Sequence, residues 1–222
     1  KVSNKANPLT WLGYLACVTI AFIHAFPKEY LILIIGATAP IAILLSFAQI
    51  LITKMKTTIM DAAVTLFGIC YIVIFLMFMP IIRSNENGVF LIWYAIFASW
   101  GTDIFAYVFG KLIGKHKFSK ISPNKTIEGC IGGTIGAVAL ILIYTIVLNN
   151  VCGMNINYLL IGAIGLILSI LSQMGDFAAS SIKRFTGIKD YSNLIPGHGG
   201  MLDRIDSIIF IAPFAYFLLV LI

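Results

Sequence analysis

Residues 175–207 read GDFAASSIKRFTGIKDYSNLIPGHGGMLDRIDS. Four carboxylates (Asp176, Asp190, Asp203, Asp206), four cations (Lys183, Arg184, Lys189, Arg204), His198 and five glycines crowd into this stretch, while the segments around it are apolar. Charges beside a membrane persist when they pair, face water or bind ions. The stretch therefore reads as one polar locus, and the apolar segments read as the lipid-embedded frame that holds it.

Composition agrees. Of 222 residues, 60% are hydrophobic and only 11% charged, whereas a soluble domain carries roughly 25% charged residues. The expected fold is an all-α polytopic bundle forming a single membrane domain over 1–222, with N-terminal spans in 1–88 and catalytic spans and cytoplasmic loops in 89–222. Taking about 20 apolar residues per span, seven segments qualify: roughly 8–26, 30–52, 60–82, 89–110, 128–148, 157–177 and 205–222. The first apolar run is long and lacks the small-residue exit of a cleavable signal. Cys17, Cys70, Cys130 and Cys152 show no metal-type spacing. Cys17 and Cys70 fall mid-span as expected core residues, so no disulfide is expected.

Basic residues set the orientation. With the N-terminus inside, thirteen of the fifteen Lys and Arg fall on the cytoplasmic side, and only Lys28 and Arg83 fall outside. The positive-inside rule then places both richest polar loops, roughly 111–127 and 178–204, in the cytoplasm. The first three spans are chemically quiet: Pro40 reads as a kink and Asp61 as a helix-end residue.

The fourth span contains WGTDIFAYVFGKLIG (100–114). Asp103, Tyr107, Gly110 and Gly114 recur on one helical face. A carboxylate at that depth is either paired inside a packing face or functional, and the functional reading is the default. SPNKTIEG (122–129) follows; its hydroxyl, amide and ammonium beside a helix start suit a phosphate. It is not a Walker A loop. The sixth span ends with Asp176, Ser180, Lys183 and Arg184 on one face. The seventh opens with Asp203 and Asp206, three apart. As helix-start carboxylates they suit the helix dipole and could simply pair with Arg204 or Lys183. Their convergence with Asp176 on one membrane face instead favours hard oxygen ligands for Mg²⁺, which keeps waters that a phosphate can replace.

SSIKRFTGIKDYSNLIPGHGGMLDRID (180–206) resembles the signature of the phosphatidate cytidylyltransferases, or CDP-diacylglycerol synthases. The likeness lies in its Ser-x-x-Lys-Arg start, Lys-Asp pair, Pro-x-His-Gly-Gly loop and Asp-Arg-x-Asp end. WGTDIFAYVFGKLIG and SPNKTIEG are similar to two further blocks of that family, in the same order. The resemblance covers roughly 90–222. Family members carry one or two more N-terminal spans, and Lys1 is not an initiator methionine, so an N-terminally truncated chain is expected.

The resemblance implies that CTP and phosphatidate give CDP-diacylglycerol and pyrophosphate at a bacterial-type inner membrane, with the site facing the cytoplasm. It implies Mg²⁺, with room for a second cation such as K⁺, and no nucleic-acid partner. Oligomeric state stays open, a homodimer included. Asp176 and Asp203 are the leading metal carboxylates and Asp206 the third. Lys183, Arg184 and Arg204 bind phosphate or pair with them, and His198 with Gly199 and Gly200 forms a phosphate-facing loop. Ser122, Asn124, Lys125 and Thr126 contact nucleotide or lipid phosphate. Ser180, Lys189 and Asp190 join the substrate site, and Asp103 orders the loop or a second cation. Two other classes were weighed. A CTP-dependent polyprenol or phytol kinase would transfer the γ-phosphoryl instead. A transporter would show broken helices with midplane charges.

Overall fold

The computed structural model describes residues 6–118, 122, 125–194 and 199–219. The chain forms two compact units, Lys1–Glu86 and Asn87–Ile222. Seven helical segments follow one another: α1 (Thr10–Ala21), α2 (Leu31–Ile52), α3 (Ile59–Ser84), α4 (Gly88–Ile113), α5 (Ile127–Val151), α6 (Tyr158–Phe185) and α7 (Leu202–Leu219). The described residues contain no strand, only an isolated bridge between Lys117 and Thr126. The protein is an all-α polytopic membrane bundle. Five segments, α2 to α6, are long and apolar enough to cross a bilayer.

The two remaining spans differ for physical reasons. At 1.5 Å per residue, the 12 residues of α1 fall short of a roughly 30 Å hydrocarbon core. A short 3-10 turn continues it over Ile23–Ala25, and Phe26 is then extended (φ −98°, ψ 146°), as expected for a residue whose successor is proline. Helix α7 has the length, but Asp203, Arg204 and Asp206 sit at its start.

In the first unit α1, α2 and α3 pack on one another. Thr58 and Asp61 form a reciprocal capping box at the start of α3: Asp61 N–H donates to Thr58 Oγ1 at 3.2 Å, and Thr58 N–H donates to Asp61 Oδ2 at 2.8 Å. Asp61 is thus the helix-end residue the sequence suggests. The four cysteines are free; Cys17 is exposed rather than in the core, as an apolar thiol facing lipid can be.

The second unit is a four-helix assembly. Helix α5 packs against α4 and α6, and α7 packs against α6 and the first half of α4. Within α4 the backbone widens to a π-helical stretch, Phe97–Gly101, just before Asp103; such bulges recur near functional sites. Beneath Asp103 a polar seam joins three helices. Thr102 Oγ1 lies 2.7 Å from Ser169 Oγ, and Gln173 Nε2 donates to Thr134 Oγ1 at 2.8 Å and to the Cys130 carbonyl at 3.1 Å. Between helices in lipid, such bonds and close backbone approach replace the hydrophobic drive.

The close approach belongs to α4 and α5. A Cβ added at Gly133 would stand 2.8 Å from both Ala106 Cβ and the Thr102 carbonyl, so only hydrogen fits. Gly133→Ala is therefore expected to destabilise the second unit by about 1–3 kcal/mol, read as a lowered melting temperature in detergent. An unchanged melt would show that the α4–α5 contact tolerates a wider spacing.

Candidate active site

The polar ends of α4, α5, α6 and α7 enclose a cavity of about 470 Å³. Asp103 comes from α4, Ser122, Lys125 and Thr126 from the segment entering α5, Asp176 from α6, and Asp203, Arg204 and Asp206 from α7. Residues about 100 positions apart thus share one chamber. The interhelical seam below supports it, since Gln173 is both a seam member and a wall of the cavity.

Two ammonium groups organise the carboxylates. Lys125 Nζ is ion-paired with Asp176, and it also lies 4.8 Å from the centroid of the Phe177 ring. Lys183 Nζ contacts Asp203 Oδ1 at 2.8 Å and stands 4.0 Å from Asp206 Oδ2. Lys183 is itself outside the cavity lining and reaches the site through this pair.

Asp203 is the most fully engaged of the four. Its Oδ1 accepts from Lys183, and its Oδ2 accepts the backbone N–H of Tyr191 and of Gly200, each at 2.9 Å. One carboxylate thereby ties the returning loop to the starts of α7 and the end of α6. Gly199 is needed there: its φ is +79°, where side chains are strained, and an added Cβ would lie 3.1 Å from Asp203 Oδ2. Tyr191 seals the same spot, its hydroxyl donating to the Ala179 carbonyl at 3.3 Å. Burial first, and then the Asp206 and Asp203 charges, push this phenol up to about 12. It stays a neutral hydrogen-bond donor.

Asp206 is nearly buried, and its Oδ1 accepts the Ser207 N–H at 2.8 Å. Asp103, Asp176 and Asp206 are close enough to interact electrostatically. Among the described residues no group of three His, Cys, Asp or Glu side chains is gathered tightly enough to hold a metal ion. Mg²⁺, however, is usually held by only one or two carboxylates, with waters and substrate phosphates completing its shell. Hard oxygen donors from α6 and α7 around one chamber of this size suit that chemistry, so the residues present fit the ion. Asp203 accepts from three protein donors, whereas Asp176 pairs with Lys125 and Asp206 accepts the Ser207 N–H.

Other residues singled out from the sequence distribute differently. Arg184, Lys189 and Asp190 are exposed, and with Ser180 they lie outside the cavity lining. Gly199 and Gly200 act through Asp203 rather than as walls. Asn124 and His198 lie outside the described residues. Gln173, Tyr107 and Lys111 line the cavity without having been singled out as site residues. Gln173 had one usable signal, a lone amide in an apolar span.

Comparison with known proteins bears on what such a cavity does. The family model described as "Cytidylyltransferase family" matches residues 1–222. The chain belongs to this family. A protein of Staphylococcus haemolyticus named phosphatidate cytidylyltransferase is 44% identical over 179 residues, covering 80% of this chain and 66% of the relative. A protein of the same name from Staphylococcus aureus (strain COL) is 42% identical over 200 residues, covering 89% and 73%. One from Bacillus subtilis (strain 168), again so named, is 40% identical over 182 residues, covering 81% and 66%. The chain thus spans about two thirds to three quarters of the length of these cytidylyltransferase relatives.

The division of labour among the aspartates is measurable. Asp203→Asn should lower stability by about 1.5–3 kcal/mol, the worth of hydrogen bonds to a charged group, because the loop loses its tie and Lys183 its nearest partner. Asp176→Asn and Asp206→Asn should melt near the wild-type temperature while losing nearly all cytidylyl transfer. Thermal melts in detergent beside activity assays check both. A wild-type melt for Asp203→Asn with turnover abolished would make Asp203 a direct ligand instead.

Proposed function

We propose that the protein is a phosphatidate cytidylyltransferase: CTP and phosphatidate give CDP-diacylglycerol and pyrophosphate. The observation that carries this reading is the cavity itself, where carboxylates of three helices and the cations Lys125 and Arg204 face one space at one end of the bundle. Both substrates are anions and must meet there. Membership of the cytidylyltransferase family and the names of the similar proteins support it.

In the proposed reaction a phosphate oxygen of the lipid attacks the α-phosphorus of CTP. A new P–O–P bond forms, the bond to the bridging oxygen of the β-phosphate breaks, and pyrophosphate leaves. The phosphate nucleophile is ionised near pH 7, so no protein base is required. Asp176 and Asp206 would hold Mg²⁺, which when bound neutralises charge on the triphosphate and its leaving pyrophosphate. Lys125 and Arg204 orient phosphate oxygens as point charge and planar fork respectively. Ser122 and Thr126 offer hydroxyls at the same wall. Asp103 biases the Lys125–Asp176 pair electrostatically and could serve a second cation. Asp203 and Lys183 keep the glycine loop closed against α7.

The concentration of thirteen basic residues on one side favours a cytoplasmic site, where CTP is available. A bacterial cell membrane is the expected setting, since the similar proteins come from Staphylococcus and Bacillus. The test uses purified protein in detergent with phosphatidate, Mg²⁺ and CTP labelled at either end of its triphosphate. Label from the α-phosphate is expected in the lipid phase, and label from the γ-phosphate in pyrophosphate. Label from the γ-phosphate in lipid would establish a lipid kinase instead.

A further inference from the structure

The segment entering α5 is held by a carboxylate that the cavity does not use. Glu128 Oε2 accepts the backbone N–H of Lys115 at 3.1 Å and of His116 at 3.2 Å. Its Oε1 lies 3.3 Å from the His116 N–H and 2.6 Å from His116 Nδ1. An ionised carboxylate only accepts, so Nδ1 carries the proton in this contact. These donors stand 12 and 13 residues before Glu128 in the chain. Besides the N–H of its own first turn, the carboxylate reaches back to these amides, so it closes a loop.

Backbone bonds continue the closure. Phe118 N–H donates to the Lys125 carbonyl and Ile127 N–H to the His116 carbonyl, both at 2.9 Å. The limbs 115–118 and 125–128 therefore run side by side, meeting at the Lys117–Thr126 bridge. The second limb carries Lys125, paired with Asp176, and Thr126, which caps α5 by accepting the Gly129 N–H at 3.1 Å. On the first limb the Phe118 ring stacks on Phe177 at 4.7 Å, next to Asp176 in the chain. Two of the groups so held, Thr126 and Phe177, are the chain neighbours of Lys125 and Asp176. His116 is well exposed (74% of its side chain), so the contact is a strap on the outside of the site.

We propose that Glu128 is a positioning residue: with His116 it locks the two limbs together and so sets the Lys125 ammonium at Asp176, where the phosphate of a nucleotide substrate is to be met. The proposal rests on the cytidylyl-transfer reading for the identity of that phosphate. Without the strap, Lys125 sits on a longer, freer loop. Its ammonium then spends less time in the productive place, and misplaced groups are expensive in rate.

The test compares wild type, Glu128→Ala, Glu128→Gln, Lys125→Ala and the Glu128→Ala/Lys125→Ala pair in the full chain. Two readouts are taken: kcat/KM for CTP, and hydrogen exchange of the backbone amides of residues 115–118. Glu128→Ala is expected to lower kcat/KM on the order of tenfold and to speed exchange at these amides. Glu128→Gln keeps an acceptor oxygen and should recover part of both. In the Lys125→Ala background the Glu128→Ala loss should disappear, because a positioning residue has nothing left to position. Losses that multiply in the double variant, or unchanged exchange in Glu128→Ala, overturn the proposal. Should wild type transfer no cytidylyl group to phosphatidate, the functional reading falls. The exchange arm then still upholds or overturns the strap on its own.

Discussion

The contact between Lys183 and Asp203 is the constraint on which the rest of the site depends. A lone charge at a membrane helix end is costly, yet this pair joins the end of α6 to the start of α7 at 2.8 Å. Once Lys183 has fixed one oxygen of Asp203, the other is free to take the Tyr191 and Gly200 amides. Tyr191 and Gly200, on either side of the loop, are thereby tied to the start of α7. Asp206, one turn further on, is left facing the chamber beside Asp176. The carboxylate that ties the loop and the one beside Asp176 are thus three residues apart on one helix.

The apolar frame contributes precision more than energy. Lipid offers little hydrophobic drive between helices, so contact must come from fit. The glycines of α5 admit α4 to a distance that no side chain would allow: an added Cβ would meet backbone oxygen at 2.8 Å at both Gly129 and Gly133. The hydroxyl and amide seam of Thr102, Ser169, Thr134 and Gln173 then fixes the rotation of α4, α5 and α6 about one another. Rotation is what decides whether Asp103 and Asp176 share a cavity. In the first unit the buried carboxylate, Asp61, is taken up by the capping box and the Asn7 amide.

Much of the architecture was legible in the sequence because hydrophobic length is a strong signal. Among the described residues all seven apolar segments carry a helix, although the first is helical only over Thr10–Ala21 before a 3-10 turn. The convergence of Asp176, Asp203 and Asp206 was legible as well, since both helix ends carry their charges on the same side. What could not be read was the ranking among them. Asp203 and Asp206 look alike in a sequence, and only the positions of Lys183, Tyr191 and Gly200 show that the first is the more heavily engaged. The same holds for Lys125: its partner, Asp176, lies 51 positions away, and no periodicity links the two. Glu128 reads as an ordinary first-turn carboxylate until the chain is seen returning past Lys115 and His116.

The central claim is that this cavity receives a nucleoside triphosphate through cation-assisted contacts to Asp176 and Asp206. Equilibrium binding of CTP to the intact protein in lipid nanodiscs, with Mg²⁺ and with chelator, tests it without requiring turnover. The account predicts saturable CTP binding that needs Mg²⁺ and is lost in Asp176→Asn and in Asp206→Asn, both still folded. Tight CTP binding that is indifferent to chelator and to both substitutions would contradict it.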